Sequence, residues 1–144
     1  MTVEGILRGK GRRVITASPD ATITEVARIL KAERIGAVVV TADGRHVAGI
    51  LSERDIVHAV ADRGPSALST PIEEIMTREV ITCTARDKIH KIMGTISQGH
   101  FRHVPVVDED GLLCGMISIG DVVKSHIEEV EAEAAALKDF IAGR

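Results

Sequence analysis

The chain has 144 residues, of which 44% are hydrophobic and 27% charged, and a net charge of −3, so it can bury about two-thirds of its unfolded surface in one compact unit or two half-size units that share a core. Acids and bases interleave, which argues against a general affinity for nucleic-acid backbone or anionic lipid, and Phe101 and Phe140 are the only aromatics, too few for the stacking platforms of single-strand binders. No apolar run approaches the ~20 residues of a membrane span, and Met1-Thr2-Val3-Glu4-Gly5 lacks a signal-peptide pattern, so the expected protein is cytoplasmic, with no nucleic-acid or membrane partner.

A shift of 66 residues lays 14–57 on 80–123 without a gap, and an internal repeat of this kind marks a duplicated structural unit. The first copy opens on Val14-Ile15-Thr16, a short strand. Ile23, Val26, Ala27 and Leu30 then run i, i+3, i+4, i+7, the stripe of an amphipathic helix, with Thr22 and Glu25 placed as a capping box. A β-branched run at 37–41, the turn signal Asp43-Gly44 and an apolar run at 47–51 form a hairpin. A second helix begins near Ser52 and stops at Gly64-Pro65, with 64–70 as the linker to the second copy.

The second copy repeats this order: Val80-Ile81-Thr82, then a helix on Ile89, Ile92, Met93 and Ile96 for which Asp87 is the expected N-cap. A hairpin over 104–107 and 112–117 follows, turned by Asp110-Gly111, and then a helix from Ser118. The expected fold class is α+β (mixed α/β): two βαββα repeats related by a pseudo-twofold axis and packed sheet to sheet, with a long C-terminal helix. The segments are 1–70, 71–128 and 129–144, parts of one integrated module. Within the tail, Val123, Ile127, Val130, Ala134, Leu137 and Ile141 are spaced 4, 3, 4, 3, 4, a heptad seam that either folds back on its own module or pairs with a second copy.

Gly49-Ile50-Leu51-Ser52-Glu53-Arg54-Asp55, answered by Gly115-Met116-Ile117-Ser118-Ile119-Gly120-Asp121, together with Phe101-Arg102-His103-Val104-Pro105-Val106-Val107-Asp108, resembles the signature of CBS domains. Such domains occur in tandem pairs, called Bateman modules, and the resemblance covers about residues 12–128. It is to small stand-alone bacterial proteins made of one pair and a C-terminal helix. The resemblance implies two related clefts between the copies, either of which can hold AMP, ADP, ATP, NAD or S-adenosylmethionine. The implied protein is a regulatory, energy-sensing module, not an enzyme, with no catalytic cofactor. It would act through conformation, homodimerisation or an unidentified regulated protein.

Ser52 with Asp55 and Ser118 with Asp121 have the spacing of a capping box; in a ligand-binding reading the carboxylate accepts from ribose hydroxyls, and the serine and helix start bind phosphate. Arg34 and His100 are equivalent under the shift and, with Arg54, Arg102 and His103, are the cations that would meet phosphate. Ile35-Gly36-Ala37 and His103-Val104-Pro105 would border the base, with Thr16-Ala17 and Thr82-Cys83 as the opposite wall; plain core packing is the other reading of these apolar positions. Glu53-Arg54 faces Ile119-Gly120 under the shift, so the two clefts differ chemically and need not bind the same ligand.

Two other function classes stay open. His100 and His103 with Cys83 or Cys114 could form a zinc site, although Cys83 and Cys114 more simply read as reduced, buried small hydrophobes. The module could also be purely structural, with empty clefts and a C-terminal helix that recruits a partner.

Overall fold

A computed structural model describes residues 1–143. The elements are α1 (Val3–Lys10), β1 (Thr16–Ala17), α2 (Ile23–Glu33), β2 (Ala37–Val40), β3 (Gly49–Ser52), α3 (Glu53–Arg63), α4 (Ile89–Gly99), β4 (His103–Val107), β5 (Leu113–Ser118) and α5 (Ile119–Ala142). Two 3-10 segments, Gly64–Ser69 and Ile72–Glu74, join the copies. Among the described residues no helix is long and apolar enough to cross a membrane.

In the first copy β1 runs parallel to β2, and β2 pairs antiparallel with β3. The stripe of α2 buries Ile23, Val26 and Leu30 against Val38, Val40 and Leu51, and Thr22 and Glu25 form the expected capping box. Ala37 and Val39, on the opposite side of β2, are also buried, so this strand is covered on both faces. The second copy's sheet meets it there: a Cβ added at Gly36 would lie 3.2 Å from His103 Cε1, and Leu113 N donates to Arg45 O at 2.7 Å.

The second copy has only two strands, β4 and β5, and the expected strand at 80–82 reduces to a single parallel bridge, Cys83 to Val106. The reason is Pro105. In copy one Val39 N donates to Ile15 O and Thr41 N to Ala17 O; in copy two Val107 N donates to Cys83 O, but Pro105, the counterpart of Val39, has no N–H for the other rung. The expected N-cap also moves. Lys88, not Asp87, caps α4 and brings no side-chain bond. Asp87 instead accepts from Thr84 N at 2.9 Å and Lys91 Nζ at 3.3 Å, closing the preceding turn.

α1, which has no counterpart among the sequence-predicted elements, completes the core of the other copy. Val3 N donates to Asp87 O and Glu4 N to Ala85 O; Ile72 N donates to Ala21 O and Glu73 N to Pro19 O. The acceptors coincide under the 66-residue shift. Val3 and Leu7 thus belong to the second core, and Ile72 and Met76 to the first. Each copy is closed by the segment that precedes the other.

The tail does not fold back. In α5 only Val122 and Ser125 are buried, whereas Val123 (43% exposed), Ile127 (50%), Val130 (48%) and Leu137 (60%) present their side chains to solvent.

Candidate functional site

Both Ser-x-x-Asp motifs form capping boxes. Asp55 N donates to Ser52 Oγ at 3.3 Å, and Asp55 Oδ2 accepts from Ser52 N at 2.9 Å and Ser52 Oγ at 3.1 Å. Asp121 Oδ2 accepts from Ser118 N at 2.8 Å, and Asp121 N donates to Ser118 Oγ at 3.2 Å. Each cap occupies one carboxylate oxygen and leaves the other available. Capping and ligand contact are therefore compatible in the same side chain.

A cleft of about 230 Å³ opens beside Asp55. It gathers seven of the residues proposed from sequence: Gly36, Ser52, Arg54, Asp55, His100, Arg102 and His103. Two backbone bonds set this geometry, Glu53 N to Gly36 O at 2.9 Å and Ile119 N to Arg102 O at 2.8 Å, which pin the starts of α3 and α5 to the segments entering β2 and β4. Arg54 and Arg102 make no salt bridge among the described residues, so both guanidiniums remain available to an anionic group. Burial holds the His103 imidazole below its ordinary value, against the pull of the Glu53 carboxylate, so His103 is neutral at pH 7.

The other wall is the stretch Thr77, Glu79, Val80 and Ile81, with Ile50, Glu53 and Phe101 completing the lining. Of these, only Glu53 is placed at a cleft by the sequence, through the contrast of Glu53-Arg54 with Ile119-Gly120. Thr77 reaches the cleft because it forms an antiparallel bridge with Ile50, N to O at 3.0 Å in both directions. The one sequence signal for this crossing is Gly49: a Cβ there would lie 2.5 Å from Met76 Sδ and 2.9 Å from Thr77 O, so only glycine lets the two segments approach.

The remaining sequence candidates lie elsewhere. Ala17, Cys83 and Val104 are core residues, Ala37 and Pro105 are buried within β2 and β4, and Ile35 packs against the first core. Burial pushes the Cys83 thiol up to about 12, which makes it an inert hydrophobe. Thr16 pairs with Val39, and Thr82 is exposed beside the Cys83 bridge. Arg34 caps α2 in a left-handed conformation, φ 56°, a conformation shared by its counterpart His100 at φ 57°. Among the described residues no three His, Cys, Asp or Glu side chains group so as to hold a metal ion, which leaves the zinc reading without a site.

Ser118 and Asp121 lie on the pseudo-symmetric side, which is built differently. Lys10 Nζ donates to Asp121 Oδ2 at 2.7 Å and to Met116 O at 3.0 Å. Burial pushes the Asp121 carboxyl up, but Lys10 and the Ser118 N–H together outweigh it and hold it below the ordinary value. The cavity that includes Asp121 runs between α1 and α5, lined by Lys10, Lys124 and Glu128 among others, and does not include Ser118.

The CBS domain family model matches residues 11–62 and 72–128. A CBS-domain containing protein from Agrobacterium tumefaciens is 45% identical, superposes with a TM-score of 0.84, and is matched over 88% of this chain and 99% of its own. A CBS domain protein from Pyrobaculum aerophilum, solved in complex with AMP, is 33% identical with a TM-score of 0.75, covering 84% of this chain and 89% of that one. The CBS domain pair of protein MJ0100, solved in complex with 5-methylthioadenosine and S-adenosyl-L-methionine, is 28% identical with a TM-score of 0.78, covering 88% and 99%. With two matched domains, a repeat legible in both sequence and core, and a fold shared over most of each chain, this protein belongs to the CBS-domain family as a tandem pair.

Proposed function

We propose that this protein is a non-catalytic regulatory module that binds an adenine nucleotide or related nucleoside in the cleft beside Asp55. The observation that carries this reading is the pairing, in one cavity, of a carboxylate oxygen left over from a helix cap with two unpaired guanidiniums. The carboxylate suits the two hydroxyls of a ribose, and Arg54 and Arg102 suit a phosphate. The AMP bound by the Pyrobaculum aerophilum protein and the adenosyl ligands bound by MJ0100 are of this chemistry. Calorimetry with AMP, ADP, ATP, NAD and S-adenosylmethionine on the wild type and on Asp55→Asn tests it; the amide keeps an acceptor for the cap while losing the charge. A ligand at one hundred times its Kd should stabilise the fold by about 2.7 kcal/mol. Absence of binding by every ligand, or binding unchanged in the variant, would sink the reading.

A second element of the proposal is assembly. The exposed seam of α5 fits a second copy of the chain, with Ile127 and Ala134 at a positions and Val130 and Leu137 at d positions. In a parallel, in-register pair Glu133 at g faces Lys138 at e of the second copy, an attractive pairing. The homodimer would carry a change in the clefts to a regulated protein.

A further inference from the structure

The two clefts treat one carbonyl differently, and the difference sets their charge. Ile50 and Met116 are equivalent under the repeat. The Ile50 carbonyl is taken by the backbone N–H of Thr77, whereas the Met116 carbonyl is taken by the ammonium of Lys10, which also pairs with Asp121. On the Asp55 side no lysine is among the described residues that line the cleft. The chain that follows Thr77 places Glu79 on the lining instead, and Glu53 is there as well, its Oε1 only 2.8 Å from where a Gly36 Cβ would be. That cleft therefore presents three carboxylates, Glu53, Asp55 and Glu79, against two guanidiniums, Arg54 and Arg102, and none of the five is in a salt bridge among the described residues.

Two guanidiniums can match one phosphate group bidentately. Every further phosphate adds negative charge to a lining on which three carboxylates already stand against two guanidiniums, and like charges at close range oppose binding. Building on the reading that the Asp55 cleft holds an adenine ligand, we propose that this cleft selects adenosine ligands carrying at most one phosphate, with Glu79, assisted by Glu53, as the element that turns polyphosphates away. Asp55 is not part of this filter, because its charge is used on the sugar.

Titration calorimetry of the full chain in magnesium-free buffer, with 5-methylthioadenosine, AMP and ATP as probes, tests the proposal. AMP or 5-methylthioadenosine should bind the wild type more tightly than ATP. Glu79→Gln should strengthen ATP binding about fivefold, the effect of removing one charge at close range in a water-exposed site, and should change 5-methylthioadenosine binding by less than it changes ATP binding. Glu53→Gln should act in the same direction, and added salt should narrow the gap in the wild type. AMP above 5-methylthioadenosine identifies a monophosphate site, and the reverse a nucleoside site; both fall within the proposed class. ATP binding as tightly as AMP to the wild type, or a gap unchanged in both variants, would overturn the filter and leave the adenine-ligand reading standing. Failure of all three probes to bind would overturn both.

Discussion

Lys10 and Asp121, 111 residues apart in the chain, meet at 2.7 Å and tie the N-terminal helix to the start of α5. The pair is partly exposed, with side-chain exposures of 39% and 24%, so its worth is modest and screened by salt. Lys10 holds the Asp121 carboxyl below its ordinary value of 3.8. A depressed folded-state value means stability that is present above the unfolded value and lost as pH falls through the folded one. Lys10→Met should therefore destabilise the protein by less than about 1 kcal/mol at neutral pH, and the difference from wild type should shrink below pH 3.8. Urea melts on both sides of that value check it; a difference that stays constant with pH would assign the effect to packing.

Arg34 and His100 end α2 and α4 with φ of 56° and 57°, a conformation that disfavours a residue bearing a Cβ by about 1–2 kcal/mol. Glycine takes it without strain but loses more backbone entropy on folding. Arg34→Gly should stabilise the fold by roughly 0.5–1 kcal/mol and leave ligand binding unchanged, because Arg34 is not on the cleft lining. His100→Gly should stabilise similarly but weaken binding, since His100 lines the cleft. Thermal melts with and without AMP separate the two outcomes.

Leu7 is wholly buried among Ile117, Val122 and the other residues of the second core, and its Cδ2 lies 2.9 Å from where a Gly115 Cβ would stand. Leu7→Ala should cost about 2–5 kcal/mol, a core-sized loss at a position near the chain terminus. An exposed residue of the same helix, Arg8, should tolerate alanine within about 0.5 kcal/mol. Chemical denaturation of the two variants makes the comparison.

α5 spans 24 residues, about 36 Å of helix, and its distal half is exposed on all sides. If α5 pairs two copies as proposed, the wild type should scatter light as a dimer and Leu137→Glu as a monomer, without a loss of helix content in the module. A wild-type monomer at micromolar concentration would remove the seam as an assembly surface.

Periodicity, caps and turns were readable because each is set by residues a few positions apart. Ile23, Val26 and Leu30 announce a helix face, Ser52 and Asp55 announce a cap, and Asp43-Gly44 announces a turn. The features that escaped depend on partners far along the chain. Val3 and Leu7 gain their role only because Asp87 and Ala85 lie beside them, and nothing in 1–10 points there. Pro105 was read as a wall of a cleft, whereas its decisive property is a missing donor toward a neighbouring strand. The cleft followed the same rule: Ser52, Arg54 and Asp55 stood in a repeated motif, while Thr77 and Glu79 entered through a pairing with Ile50 whose one local sign is Gly49.

The exchange of closing segments also bears on how the chain reaches its native state. A fragment cut near Gly64 would leave an N-terminal piece that keeps α1 but lacks Ile72 and Met76, and a C-terminal piece that keeps those two but lacks Val3 and Leu7. Each piece carries the lid of its neighbour and not its own, so the two should be poorly ordered apart and should complement one another on mixing. In the intact chain the joining of Val3 to Asp87 closes a loop of most of its length, a late and slow contact by the entropy of chain closure. The two copies would then melt in a single cooperative transition, despite their separate hydrophobic cores.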